Sequence, residues 1–172
     1  MSNSVLNKVA QSGIIQLDPE DFFPKEEIVL LDMKSWLYHE LILREADFRA
    51  QLESFDWSVY QDKIVCLICS ADAIVPLWAY MLFVTRLKPV AHDVFYGDKT
   101  EYLKNYYREI ITHLDTNIYQ DKRIVIKGCG DKPVPPSAYV DLTNHLMPYA
   151  KSIMFGEPCS TVPVYKAPKI TT

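Results

Sequence analysis

The sequence predicts an α/β protein with an open, mostly parallel sheet and helices on both faces. The first observation is an internal repeat: residues 60–98 recur without a gap as residues 119–157, with 13 of 39 positions identical. Unrelated segments of ordinary composition would share about two or three. The second observation is that each copy reads as strand, helix and strand, the unit from which parallel sheets are built. A repeat of this length indicates the architecture before any local motif does.

Each copy begins with a β-branched run and ends with a second short apolar run. A proline in the first turn starts the helix between them, and a later proline ends it, since proline cannot continue the hydrogen-bond ladder. A crossover of this length implies parallel strands with right-handed connections. The predicted strands and helices are 64–68, 77–87 and 93–97 in the first copy and 123–127, 136–146 and 152–156 in the second.

Helical spacing of apolar residues also marks the segment before each copy, 46–56 and 99–115. The first 45 residues are otherwise irregular, although the run EEIVLLDM resembles another strand. Residues 166–172 are typical of a frayed tail. The prediction is therefore a single α/β domain over residues 1–172, built by internal duplication.

Composition excludes several classes of function. The formal net charge is −4 and the pI is about 5.5, which argues against a general binder of nucleic acid or anionic membranes. No apolar stretch approaches the roughly 18 residues of a membrane span. No export signal is visible at the N-terminus, so we expect a cytoplasmic protein with reduced thiols. No GxGxxG or Walker A signature supports nucleotide binding.

Three of the four cysteines follow predicted strands. In a parallel sheet the carboxyl ends of the strands meet at one edge, which is where sites form. We therefore expect Cys69, Cys129 and Cys159 at the same edge, and Cys66 as an ordinary buried thiol within its strand. Three of the four histidines are expected at the opposite edge of the sheet, which disfavours a Cys–His pair and a Cys/His zinc site.

An aspartate accompanies the cysteines in each copy. Asp72 and Asp131 occupy the same position of the two strand-to-helix turns. Taken alone, each is typical of a helix cap. Taken beside the cysteines, each could provide an acid–base group or a ligand oxygen.

Three meanings of the thiols stay open. They bind zinc or an iron–sulfur cluster through Cys69, Cys129, Cys159 and Asp72; they carry sulfur or redox equivalents; or they take no part in function. An enzyme would use Cys129 as nucleophile with Asp131 orienting substrate or water. A scaffold that only binds a partner is the third alternative. The apolar run PLWAYMLFV packs either within the chain or against a second copy, so a homo-oligomer is also open.

The strings CSADAIVP, YQDKRIVIKGCGD and KSIMFGEPCSTVPVYK, with LILREADF near the start, cover nearly the whole chain. They resemble the bacterial domain-of-unknown-function family 2480. The resemblance implies no activity and no catalytic residues. It does imply an association with genes for iron–sulfur cluster assembly. It therefore favours a thiol-centred accessory in cluster or sulfur handling, with proteins of iron–sulfur assembly as partners.

Overall fold

The computed structural model describes residues 13–128, 130–157 and 160–168. The chain divides into two compact units, and each is described by itself. The terminal unit comprises Met1–Phe23 and Leu103–Thr172, and the inserted unit comprises Pro24–Tyr102. The prediction of a single domain stays a prediction.

The described residues form seven strands and four α-helices. The strands are β1 (Ile14–Leu17), β2 (Ile28–Asp32), β3 (Ile64–Ile68), β4 (Asp93–Tyr96), β5 (Arg123–Ile126), β6 (Ser152–Glu157) and β7 (Ser160–Lys166). The helices are α1 (Glu45–Ser54), α2 (Leu77–Leu87), α3 (Lys99–Thr112) and α4 (Pro136–Leu146). Short 3-10 helices cover Pro19–Phe22, Met33–Trp36, Trp57–Tyr60 and Asn117–Tyr119. None of these helices is long and apolar enough to cross a membrane.

The inserted unit is a three-stranded parallel sheet in the order β2-β3-β4. The central strand reads IVCLI, and its first four residues are almost completely buried, as expected for a strand covered on both faces. The prediction that Cys66 is a buried thiol is confirmed, since its exposed fraction is 0%.

Helices α1 and α2 pack on one face of this sheet. Phe48 of α1 and Phe83 of α2 meet edge to face at 5.3 Å between ring centroids, so α1 and α2 share one face. Val94 packs against the core on that face. The next residue, Phe95, points the other way because side chains alternate along a strand, and its ring contacts Tyr102 in the first turn of α3.

The terminal unit contains a four-stranded sheet in the order β1-β5-β6-β7. The first three strands are parallel, and β7 pairs antiparallel with β6. The sequence did not predict β7, because Pro163 interrupts its run and proline is found in sheets only at edges or bulges. β7 is indeed the edge strand, and its pairing register shifts next to Pro163.

The α/β class with mostly parallel strands is confirmed. The strands differ from the expected single sheet in one respect, because the described residues form two sheets. Each strand–helix–strand unit pairs with its own additional strand, β2 in one case and β1 in the other. Both additional strands come from the N-terminal segment that the sequence left largely unassigned.

The two units use the same local geometry at a constant spacing. Helices α2 and α4 begin and end 59 residues apart. Asp62 and Asp121 both have a left-handed backbone, with φ of 56° and 58°. Their amides donate to the carbonyls of Val90 and Tyr149, each at 2.9 Å. Each turn thereby ties the start of a central strand to the segment after the following helix.

Candidate functional site

An aspartate stands at the carboxyl end of the first strand of each sheet. Asp18 follows β1 and Asp32 ends β2. Each caps a 3-10 helix: Asp18 Oδ1 accepts from the Glu20 amide at 3.0 Å, and Asp32 Oδ1 accepts from the Lys34 amide at 2.9 Å. Each also binds the turn after the neighbouring central strand, at the edge where the sequence predicts the site.

In the inserted unit, Asp32 holds the turn that contains Ser70. The Ser70 amide donates to Asp32 Oδ1 at 3.0 Å, and its hydroxyl donates to Oδ2 at 2.5 Å. Burial raises the pKa of Asp32, but the hydrogen bonds from Ser70 and from the Lys34 amide lower it more, so the pKa falls below its ordinary value. Asp32 is therefore an ionised clamp on this turn at neutral pH.

Cys69 precedes Ser70 and is partly buried, with its Sγ 3.8 Å from the carbonyl oxygen of Ala71. Its neighbour Tyr80 contacts Tyr96 edge to face at 5.2 Å. Burial, followed by the charges of Cys69 and Tyr96, raises the pKa of Tyr80 to about 12. Burial also raises the pKa of Cys66 to about 11, which makes Cys66 a poor nucleophile at neutral pH.

In the terminal unit, Asp18 forms an ion pair with the turn after β5. Leu17 pairs with Ile126 across the sheet, so the next residues of both strands are adjacent at the edge. Lys127 Nζ lies 2.9 Å from Asp18 Oδ2. Burial raises the pKa of Asp18, but the hydrogen bonds from Lys127 and the Glu20 amide lower it below its ordinary value. The hydrogen bond and charge of Asp18 raise the pKa of Lys127.

The far side of the same turn is held by Glu20. The Lys132 amide donates to Glu20 Oε1 at 2.7 Å, and Lys132 Nζ donates to the Glu20 carbonyl at 3.1 Å. A Cβ at Gly130 would overlap the Glu20 carboxylate, so glycine at this position lets the carboxylate approach the backbone closely. We call the described residues 127, 128 and 130–132 the fastened turn, because Asp18 holds it at Lys127 and Glu20 holds it at Lys132.

The fastened turn borders a polar cleft of about 220 Å³. Both carboxylates and both lysines line it, together with Tyr139 and the two glycines of the turn, Gly128 and Gly130. The cleft therefore combines fixed charges of both signs with close backbone approach. Such a site suits a small polar group.

An aromatic pair closes the other side of the turn. A Cβ at Gly128 would overlap the ring of Phe155, which contacts Tyr139 edge to face at 5.8 Å. The positions 59 residues earlier are Cys69, Tyr96 and Tyr80, where the same type of aromatic contact occurs beside a thiol. The two sheet edges therefore share the aromatic pair, but the position that Gly128 occupies in the terminal unit is occupied by Cys69 in the inserted unit.

Two predicted site residues, Asp72 and Asp131, lie among the described residues, in the turns before α2 and α4. Asp72 and Asp131 are both exposed. The prediction that they cap helices is wrong, because α2 and α4 follow Pro76 and Pro135 and neither helix has a side-chain cap. Proline fixes a backbone angle suited to entering a helix, so these helices begin without that hydrogen bond.

The predicted thiol site lies largely outside the described residues, because Cys129 and Cys159 fall there. The described part of the chain holds no group of three or more His, Cys, Asp or Glu side chains suited to a metal ion. The ligand set Cys69, Cys129, Cys159 and Asp72 therefore stays a prediction, as does the pair Cys129 and Asp131.

Sequence reasoning missed the clamping residues Asp18, Glu20 and Asp32. A signal for two of them was present, since an apolar run ends in Leu-Asp at both Asp18 and Asp32. The sequence does not reveal what these aspartates contact, because Asp18 pairs with Lys127, 109 positions later, and Asp32 pairs with Ser70, 38 positions later.

Comparison with known proteins gives a family and no activity. The profile of the family described as "Protein of unknown function (DUF2480)" matches residues 3–167, and the chain belongs to this family. No curated protein and no solved structure matches the chain.

Proposed function

We propose that this member of the DUF2480 family acts through the thiol of Cys129, which accepts and passes on sulfur as an accessory to iron–sulfur cluster assembly in the cytoplasm. The observation that carries the proposal is the fastened turn at the polar cleft. Its two residues next to Cys129, Gly128 and Gly130, both line that cleft. Proteins of iron–sulfur assembly are the proposed partners.

The charges around the cleft favour a reactive thiol. Lys127 and Lys132 line it, and nearby ammonium groups lower the pKa of a cysteine and so raise the fraction of thiolate at neutral pH. Asp18 and Glu20 hold the turn, and each carboxylate is itself engaged, Asp18 with Lys127 Nζ and Glu20 with the Lys132 amide. Cys66, buried and with a raised pKa, has the opposite environment.

The proposed reaction is a sulfur transfer. The Cys129 thiolate attacks the outer sulfur of a persulfide donor and forms a new sulfur–sulfur bond. The donor's own sulfur–sulfur bond breaks, and the donor leaves as a thiolate. Cys129 then carries one additional sulfur, which a second thiolate removes in the same way. In this proposal Asp131 orients the donor.

The test is persulfide loading of the anaerobically purified chain. A low-molecular-weight persulfide donor is added, and peptide mass spectrometry then identifies which cysteine has gained one sulfur atom. We expect loading at Cys129, loss of loading in Cys129→Ser, and normal loading in Cys69→Ser as the matched control. Equal and slow loading of all four thiols contradicts the proposal. Zinc or an iron–sulfur cluster in the purified protein would favour the metal site instead.

A further inference from the structure

Helix α2 exposes an apolar row on the side opposite the core. The exposed fractions are 79% for Leu77, 67% for Met81 and 41% for Val84, and Ile74 just before the helix is 97% exposed. The core-facing side chains are completely buried: Ala79, Phe83 and Leu87. Contiguous exposed apolar residues of this kind mark a contact surface. We call Leu77, Met81 and Val84 the α2 seam.

The spacing of the α2 seam is that of a helix–helix contact. Its members lie four and then three residues apart, and Lys88 continues the row after four more. Alternating steps of four and three are the pattern with which one helix packs along another. The seam is therefore shaped for a second helix.

Helix α4 shows that the fold does not require this seam. α4 lies 59 residues further along the chain and buries the matching positions Ala138, Leu142 and Leu146. At the positions of the seam it carries Pro136, Val140 and Thr143. Because the core side is preserved and the outer side is not, the apolar outer face of α2 needs a separate explanation.

We propose that the α2 seam is the interface between two copies of this chain, with the two α2 helices antiparallel about a twofold axis near Met81. Between residues 70 and 90 the charged side chains are Asp72 before the helix and Arg86 and Lys88 at its end, all exposed. Antiparallel pairing brings the acidic end of one copy to the basic end of the other. It also places Leu77 of each copy opposite Val84 of the other.

This charge order identifies the occupant as a second copy. A helix with an exposed acidic residue before its start and exposed basic residues at its end is complementary to itself once it is turned by a twofold rotation. Parallel pairing would bring like charges and like ends of the helix dipoles together. Met81 lies at the axis, where a flexible side chain packs readily against its own copy.

The first test measures the oligomeric state of the full chain by sedimentation velocity. The wild type is expected to form a dimer as concentration rises to about 100 μM. Met81→Glu is expected to raise the dissociation constant at least about 30-fold, because it places two like charges at the interface centre. Val140→Glu, the matched position on α4, should leave the dimer unchanged. Circular dichroism checks that both variants, altered at exposed positions, stay folded.

The second test concerns the orientation of the helices. Asp72→Lys is expected to weaken the dimer, and adding Lys88→Glu, at the position that continues the row of the seam, is expected to restore it. A wild type that stays monomeric over the whole range overturns the proposal, even if it captures a different protein. A dimer that tolerates Met81→Glu, or one that the charge exchange does not restore, also overturns it.

Discussion

Gly130 is a glycine because the carboxylate of Glu20 occupies the space that a Cβ would need. The same carboxylate accepts the Lys132 amide at 2.7 Å, so one contact explains the glycine and the shape of the turn. An added methyl group must displace Glu20 and break that hydrogen bond. The identity of this residue is thus decided by a partner 110 positions earlier, which no local pattern reveals.

We expect Gly130→Ala to lower the free energy of unfolding by about 0.5–1 kcal/mol, because it displaces the Glu20 carboxylate from a solvent-exposed hydrogen bond with the Lys132 amide. In a Glu20→Ala background the same change should cost much less, because the obstructing carboxylate is gone. Urea denaturation of the four proteins of this double-mutant cycle measures the coupling. Equal costs in both backgrounds would show that Glu20 is not the reason for the glycine.

The pH dependence of stability tests Asp32 as an ionised clamp. Its pKa in the folded protein lies below the ordinary value of 3.8. Its contribution is therefore full at pH values above 3.8 and is lost as the pH falls through the lower folded pKa. Asp32→Asn should cost about 1 kcal/mol at neutral pH and almost nothing once the wild-type carboxylate is protonated. A difference between the two proteins that stays constant down to strongly acidic pH would contradict this role.

At the scale of elements, proline made the helices predictable. The predicted bounds of α2 and α4 agree with the structure because a proline precedes each helix core and another follows its end. Proline also prevented the prediction of β7, because Pro163 lies inside this strand, which is at the edge of the sheet. Proline is a strong signal in both cases, but its meaning in a sheet depends on neighbours that periodicity does not identify.

Helix starts in this chain differ in a way that can be measured. Asp98 Oδ1 accepts the Glu101 amide at 2.8 Å, and Glu101 Oε2 accepts the Asp98 amide at 3.0 Å, which is a capping box before α3. Asp98→Ala should therefore destabilise the protein by about 1 kcal/mol. Asp72→Ala and Asp131→Ala should change stability by less than about 0.5 kcal/mol, since neither caps its helix. Thermal denaturation compares the three, and a large loss for Asp72→Ala or Asp131→Ala would contradict the capping assignment.

For the molecule as a whole, the repeat predicted two strand–helix–strand units but not their pairing into two sheets. The additional strands β1 and β2 both lie within the first 32 residues, and their order along the chain does not reveal which repeat each one joins. The chain enters the inserted unit after Phe23 and returns to the terminal unit at Leu103. Likewise, the expectation that sites form at the carboxyl ends of parallel strands located the turns after β3 and β5. It did not identify Asp18 and Asp32, which hold those turns.

The inserted unit has its own sheet and a core cluster drawn from within residues 29–94. We therefore expect a fragment of residues 24–102 to fold alone, with a single cooperative urea transition that is weaker than that of the full chain. The control is the same fragment with Phe83→Ala, which should unfold because Phe83 lies at the centre of the aromatic cluster. Failure of the unaltered fragment to show a cooperative transition would favour the predicted single domain.

The central claim is that Cys129 is a reactive thiol because of its charged turn, and its rate of alkylation tests this most directly. Site-resolved mass spectrometry follows iodoacetamide labelling of the anaerobic protein at neutral pH. We expect Cys129 to react at least about tenfold faster than Cys69. Lys127→Met should slow it by removing a cation, and Asp18→Asn should accelerate it by releasing that cation from its partner. A Cys129 that reacts no faster than Cys69 and responds to neither substitution contradicts the claim.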